Sequence, residues 1–247
     1  MGINESGHNR QEIYSRQIMI KEIGKKGQLK LEGASVLVVG CGGLGAPVLY
    51  YLTAMGIGHL GLCDGDNVTL SNLNRQVLYT YDDIGKPKAG TAKERLITLN
   101  PNLKTTVYDK SINQQLAKSI IKDYDIVVDC LDNYQTRFII NDACIKANKP
   151  LVHAAVGEFY GQLMTIVPGK SPCLRCLIST KESYESVSGV IGAVAGVMGS
   201  LQALEVVKFL LGLDVCCDGL LIYDGLATTF EKIKVKQAQN CICDVSS

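Results

Sequence analysis

Residues 35–45 read Ser-Val-Leu-Val-Val-Gly-Cys-Gly-Gly-Leu-Gly, and no other stretch restricts the fold as much. Val36 to Val39 is a short apolar run, mostly β-branched, which is how a strand buried on both faces reads. It stops at Gly40, and Gly40-Cys41-Gly42-Gly43-Leu44-Gly45 fits G-x-G-x-x-G. Pro47 follows, then Val48, Leu49, Leu52 and Met55 at helical spacing. Proline suits a first helical turn, where its missing N–H has no intrahelical partner. Strand, glycine turn and helix thus come in the order a phosphate site needs: glycines admit a close backbone approach, and N–H groups at the helix start point at the anion. Asp64 ends the next apolar run, His59–Cys63, at the distance suited to a ribose hydroxyl. The alternative is a turn that only packs a strand on a helix. The glycines do not say which nucleotide binds.

Strand and helix then alternate as far as residue 156. Strands are expected at Lys104–Tyr108, over Ile126–Asn133, which runs into acids, and at Leu151–Val156; helices at Ala89–Leu99, 112–122 and Asn133–Asn148. That alternation calls for a parallel sheet with right-handed crossovers. Beyond it, Tyr160–Val167, Leu220–Asp224 and Thr228–Lys236 read as strands separated by turns, an antiparallel extension. The expected fold class is α/β and Rossmann-like: a mostly parallel sheet, antiparallel strands in the C-terminal half, helices on both faces. One domain over 1–247 is expected, with a helical arm (1–34), a nucleotide-binding half (35–156) and a partner-facing half (157–247).

A formal net charge of +1 supplies no global field for nucleic acid or membrane. Val190–Leu213 looks membrane-like, but Gln202, Glu205 and Lys208 interrupt it, leaving less than the roughly 20 apolar residues a span requires. A buried helix is expected, its Gly192 and Gly196 allowing another backbone close. Met1–Arg10 is polar, without an apolar signal core. That implies a cytoplasmic protein whose 10 cysteines stay reduced, so metal binding or reactivity outranks a disulfide scaffold. Cys173-x-x-Cys176 is half a tetrahedral zinc site. Cys241 and Cys243 offer the other half, at the less favourable one-residue spacing, and Cys216-Cys217 can substitute for one ligand. Cys41, Cys63, Cys130 and Cys144 read as small core residues. His8, His59 and His153 show no ligand or triad spacing, and neither a G-x-S-x-G elbow nor a glycine-lysine P-loop is present.

Several polar residues remain open. Arg16 reads as part of a solvated helix face. Ser71-Asn72-Leu73-Asn74-Arg75-Gln76 is a loop that reaches a nucleotide edge or simply crosses the surface. Lys88 sits near a helix start, where a cation opposes the dipole unless an anion binds. Asp132 falls at the carboxyl end of the fourth strand, where open parallel sheets bind ligands.

In order along the chain, Gly40–Gly45, Asp64-Gly65-Asp66-Asn67-Val68, Ser71–Gln76, Lys86-Pro87-Lys88, Asp129–Asn133 and Cys173-x-x-Cys176 make a set that strongly resembles the ThiF/MoeB/HesA family of ubiquitin-activating-like adenylyltransferases, over about residues 10–243. The resemblance implies ATP over Gly40, Gly42, Gly43, Leu44 and Gly45. It implies Asp64 on the ribose with Asp66 beside it, Asn72, Arg75, Gln76 and Lys88 on the phosphates, Asn133 in the nucleotide site, and Asp132 at Mg²⁺. It further implies a homodimer in which Arg16 reaches the partner's triphosphate, and zinc on Cys173, Cys176, Cys241 and Cys243. The implied substrate is a ubiquitin-fold sulfur carrier of ThiS or MoaD type ending in Gly-Gly. Its carboxylate attacks the α-phosphorus, giving an acyl-adenylate and pyrophosphate for thiamine or molybdopterin biosynthesis. Two departures stand out. Glu185 occupies a position where many relatives carry cysteine, so the adenylate is expected to pass to a separate sulfurtransferase. The tail also carries Cys241-x-Cys243 instead of C-x-x-C. Rival readings are a tRNA-modifying dehydratase of the same superfamily, an NAD-dependent oxidoreductase, and a non-catalytic carrier-binding scaffold.

Overall fold

The computed structural model describes residues 12–178 and 189–244. Its centre is one eight-stranded sheet in the order β3-β2-β1-β4-β5-β6-β7-β8. The strands are β1 (Ser35–Val39), β2 (His59–Cys63), β3 (Lys104–Tyr108), β4 (Ile126–Asp129), β5 (Leu151–Gly157), β6 (Tyr160–Ile166), β7 (Gly219–Asp224) and β8 (Thr229–Lys234). β1 to β5 pair in parallel, and β6, β7 and β8 add antiparallel strands. The helices are α1 (Ser15–Ile18), α2 (Gly24–Gly33), α3 (Gly45–Ala54), α4 (Lys88–Leu99), α5 (Gln114–Ile120), α6 (Tyr134–Lys146), α7 (Leu174–Leu177) and α8 (Gly192–Leu211). Among the described residues the expected helical arm (1–34) includes α1 and α2, separated by residues 19–23, with Gly24 at φ +54° where α2 begins.

Both faces of the sheet are covered around β1, as its uninterrupted apolar run requires, while β8 at the edge is exposed throughout. Val36 and Val38 face one core with Leu60, Leu62 and the inner sides of α3 and α8. Leu37 and Val39 face a second with Val127, Leu151 and Ile140 of α6. All four are essentially fully buried, each contributing about 1.5–3 kcal/mol over exposure. By length and composition α8 could cross a membrane. Here half its apolar window is buried, against α3, β5 and β6. The close backbone approaches are at Gly192, where a Cβ would meet Asn74 O at 2.7 Å, and at Gly199, where it would meet Leu44 O at 2.5 Å. Gly196, expected to share that role, has open space beside it.

From β1 the chain winds outward through β2 and β3 on one side, and β4 and β5 lie on the other. The carboxyl ends of β1 and β4 therefore flank the switch point, where the crossovers leave a crevice.

Candidate active site

A cleft of about 1130 Å³ opens at that switch point. Its floor is the glycine turn. Gly40 takes φ +97°, and a Cβ there would lie 2.5 Å from Cys130 O. A Cβ on Gly45 would come within 2.1 Å of Gly40 O. Only glycine fits either place, so the turn draws β1, β4 and the α3 start together. The α3 start closes back on this turn, Ala46 N–H donating to Gly42 C=O at 2.9 Å and Val48 N–H to Leu44 C=O at 3.4 Å.

Gly40, Gly42, Gly43, Leu44, Asp64, Asp66, Arg75, Gln76, Lys88, Asp132 and Asn133 line the cleft. Asp64 is tied to the loops on both sides of it. Its Oδ2 accepts Cys41 N–H at 2.7 Å and its Oδ1 accepts Asp66 N–H at 2.9 Å. Burial pushes its carboxyl up from the usual range, and those two donors oppose the shift. Each oxygen keeps a second lone pair for a ligand hydroxyl. Lys88 opens α4 and is buried, with Nζ 2.9 Å from Asp66 Oδ2. A protein anion thus meets the lysine that looked misplaced at a helix start. Arg75 is half-buried, its Nη1 donating to Ser71 C=O at 2.8 Å and Asn74 Oδ1 at 2.9 Å. Gln76 is buried with Oε1 unpaired. Asp132 is exposed on the wall, 3.4 Å from Asn133 Nδ2. Asn133 caps α6 by accepting Thr136 N–H at 2.9 Å.

Three candidates stand away from the lining: Gly45, whose backbone packs on Gly40 O, Asn72 and Arg16. Asn72 is buried and its Oδ1 accepts Thr69 N–H at 3.1 Å, closing a capping box around the short 3₁₀ turn Leu70–Asn72. Arg16 is exposed on α1. Glu185 and His8 lie outside the described residues.

Other residues of the site carried no motif. Tyr79 is buried, its hydroxyl donating to Cys41 C=O at 2.8 Å and Lys88 C=O at 3.2 Å, so it joins the glycine turn to the α4 start. Arg137, one turn beyond the α6 cap, lines the cleft and is 4% exposed. A helical arginine four residues after a capping Asn was the available signal. Tyr160, Gln162 and Ile222 extend the cleft along the antiparallel strands.

Some distance along α6 lies a thiol cluster. The Sγ atoms of Cys173, Cys176, Cys241 and Cys243 all lie within 4.8 Å of one another. Cys173 and Cys241 are 3.6 Å apart, Cys176 and Cys243 3.4 Å. For Zn–S bonds of about 2.3 Å a tetrahedron has edges of about 3.8 Å, so the donor set fits such an ion. The one-residue tail spacing is no obstacle. Cys176 is drawn below the usual thiol range: burial opposes this, but N–H groups of Ala238 and Cys173 and neighbouring thiols outweigh it. Cys216 and Cys217 stand apart from the cluster; Cys216 N–H donates to Glu205 Oε2 at the α8–β7 turn. Cys41, Cys63, Cys130 and Cys144 are buried, and burial pushes the Cys63 thiol up to about 12, so it stays protonated and inert.

A glycine turn at the switch point of a twisted sheet, acids at the ends of β2 and β4 and cations across the cleft define the class: a Rossmann-type α/β protein with a crevice made for a phosphorylated ligand. Within that class the chain belongs to the ThiF family, whose model matches residues 14–245. It is 42% identical over 239 residues to the sulfur carrier protein adenylyltransferase of Thermus thermophilus, covering 92% of this chain and 88% of that one. It is 43% identical over 235 residues to the adenylyltransferase and sulfurtransferase MOCS3-1 of Drosophila pseudoobscura pseudoobscura, covering 92% of this chain and 52% of that one. The chain spans about half the length of the MOCS3 relatives it matches. Among solved structures, E. coli MccB with ATP superposes with a TM-score of 0.85 at 24% identity, covering 97% of this chain and 75% of that one. At that identity the likeness is one of fold.

Proposed function

We propose that this protein adenylylates the C-terminal glycine of a ubiquitin-fold sulfur carrier ending in Gly-Gly, consuming ATP and releasing pyrophosphate. The observation that carries the reading is the convergence of Lys88, Arg75 and the glycine turn on one cleft that also carries Asp64 and Asp132. The T. thermophilus relative, named a sulfur carrier protein adenylyltransferase and matched over most of its length, supports the carrier as substrate.

The chemistry asks little of acid–base catalysis. A terminal carboxylate is already ionised at neutral pH, so it attacks without a general base. A carboxylate oxygen bonds to the α-phosphorus, the bond to the bridging oxygen breaks, and pyrophosphate leaves with that electron pair. The obstacle is to bring two anions together and to stabilise charge on the leaving group. Lys88 and Arg75 supply fixed positive charge, and the glycine turn supplies N–H donors. Asp64 orients the ribose. The carrier's tail enters along Tyr160 and Gln162 of the antiparallel strands.

Asp132 is an exposed carboxylate on the cleft wall, which fits Mg²⁺, an ion that takes one or two protein carboxylates and fills its remaining positions with phosphate oxygens and water. When bound it neutralises phosphate charge. The four thiolates would hold zinc as a closed structural site that ties the tail to α7. Reduced thiols suit a cytoplasmic setting. The reading includes a homodimer, with exposed Arg16 reaching the partner's triphosphate beside the exposed Ile13, Met19 and Ile20. It also includes transfer of the adenylate to a separate sulfurtransferase, in the thiamine or molybdopterin pathway. The test is ATP–pyrophosphate exchange with cognate carriers. Exchange that requires the carrier supports the reading, and its absence with every Gly-Gly carrier overturns it.

A further inference from the structure

Beneath the turn that carries Asp132 lies a buried ring of polar groups. Asp129 Oδ1 accepts Leu131 N–H at 3.0 Å, and Arg137 Nη2 donates to Leu131 C=O at 2.5 Å. One residue is thus gripped at its N–H by an anion and at its C=O by a cation. The two grips face each other, with Arg137 Nε 3.7 Å from Asp129 Oδ2. His153 Nδ1 lies 2.6 Å from that same oxygen. Asp129 and His153 are wholly buried, and the Arg137 side chain is 5% exposed. Arg137 Nη2 also reaches Ala154 C=O, at 3.4 Å, in the middle of β5, and its guanidinium stacks over Tyr134 at 5.0 Å.

Stability alone does not explain this ring. A buried ion pair offsets its own desolvation poorly, and well-packed apolar residues of similar volume commonly do as well or better. Neighbours in the same core, Leu37, Val39, Val127 and Leu151, are all apolar. The ring is also imperfectly satisfied, since Arg137 Nε and His153 Nε2 are buried without a hydrogen-bond partner. What it does secure is the backbone at Leu131, the residue just before Asp132. The glycine turn leans on the same place, because Gly40 packs against Cys130 O.

We propose that Asp129, Arg137 and His153 are positioning residues: they hold Leu131 so that the Asp132 carboxylate meets the divalent cation of bound nucleotide. This rests on the ATP-dependent reading above. Arg137 is the informative member, because only a planar fork reaches two carbonyls and an aromatic face at once. Lysine keeps the charge but loses that geometry.

The test titrates Mg²⁺ into the full-length protein and follows both binding of a fluorescent ATP analogue and carrier-dependent exchange. Arg137→Lys is expected to raise the Mg²⁺ half-saturation about 10-fold, as loss of a group that orients a metal ligand does. Nucleotide affinity measured with EDTA should shift far less than the Mg²⁺ half-saturation. In an Asp132→Asn background, Arg137→Lys should add almost nothing, since both act through one carboxylate. An unchanged half-saturation, or fully additive effects, overturns the proposal. If Arg137→Lys fails to fold, His153→Gln carries the test, with a smaller rise of the same sign expected and no rise overturning it. Wild-type protein without carrier-dependent exchange would count against the enzymatic reading; exchange in the wild type with unshifted variants counts against the ring alone.

Discussion

Lys88 Nζ lies 2.9 Å from Asp66 Oδ2, and the two partners differ sharply in exposure: the lysine side chain is 8% exposed and the aspartate 70%. A fixed, half-desolvated ammonium with a solvated counter-ion is an anion receptor, since the aspartate can return to water when a phosphate arrives. Lys88→Ala should therefore cost about 10²–10³ in exchange rate. Lys88→Arg should recover little, because a guanidinium does not replace a point charge on a buried stem. Steady-state exchange at saturating carrier checks both.

The loop before Lys88 is held by Asp83. It accepts Thr80 N–H at 2.9 Å, Arg95 Nη2 at 2.8 Å and Lys86 Nζ at 3.1 Å. Burial would raise its carboxyl, but these donors, Arg95 foremost, hold it well below the usual range. A depressed carboxylate stabilises the fold above its unfolded pKa of about 3.9 and loses that contribution as pH falls. Unfolding midpoints should thus drop below about pH 4 in the wild type, and Asp83→Asn should be less stable at neutral pH with a flatter acid limb.

The glycine turn makes a steric prediction. A Cβ at Gly45 would collide with Gly40 O, so Gly45→Ala must push α3 away from the β1 end. We expect a lower melting temperature and loss of nucleotide binding together. Gly196→Ala, where nothing lies within 4 Å, should leave nucleotide binding as it is and stabilise α8 by up to about 1 kcal/mol.

The thiol cluster predicts one zinc per chain by metal analysis of protein purified without added metal. Cys243→Ser should lose the ion and loosen the tail, seen as rapid proteolysis after Lys234. Because thiols must lose protons to bind, zinc retention against a chelator should weaken as pH falls.

How much of this could be read from the chain depended on sequence distance. The β1–Gly40–α3 unit was legible because a buried strand, a glycine turn and a proline-started helix are all local patterns. So were the antiparallel strands after residue 157, through the loss of crossover helices. Lys88 showed as a charge in the wrong place, but not that Asp66, 22 residues earlier, is its partner. The meeting of Cys173 with Cys241 and of Cys176 with Cys243 spans more than 65 residues and is set by how β7 and β8 return across the sheet. His153 looked inert because Asp129 comes beside it only through the parallel β4–β5 register. Asn72 closes a capping box with Thr69, a contact that its polarity alone does not reveal. Gly199 was overlooked because small residues four apart drew attention to Gly196.

The central claim is that an adenylyl group is placed on a carrier's terminal glycine. Incubating the protein with α-labelled ATP, Mg²⁺ and a Gly-Gly carrier, then measuring label and intact mass on the carrier, tests it directly. The account predicts one labelled adenylyl group per carrier, absent when the final glycine is deleted and when Lys88 is replaced by alanine. A carrier that stays unlabelled while the protein binds ATP and carrier together would contradict it.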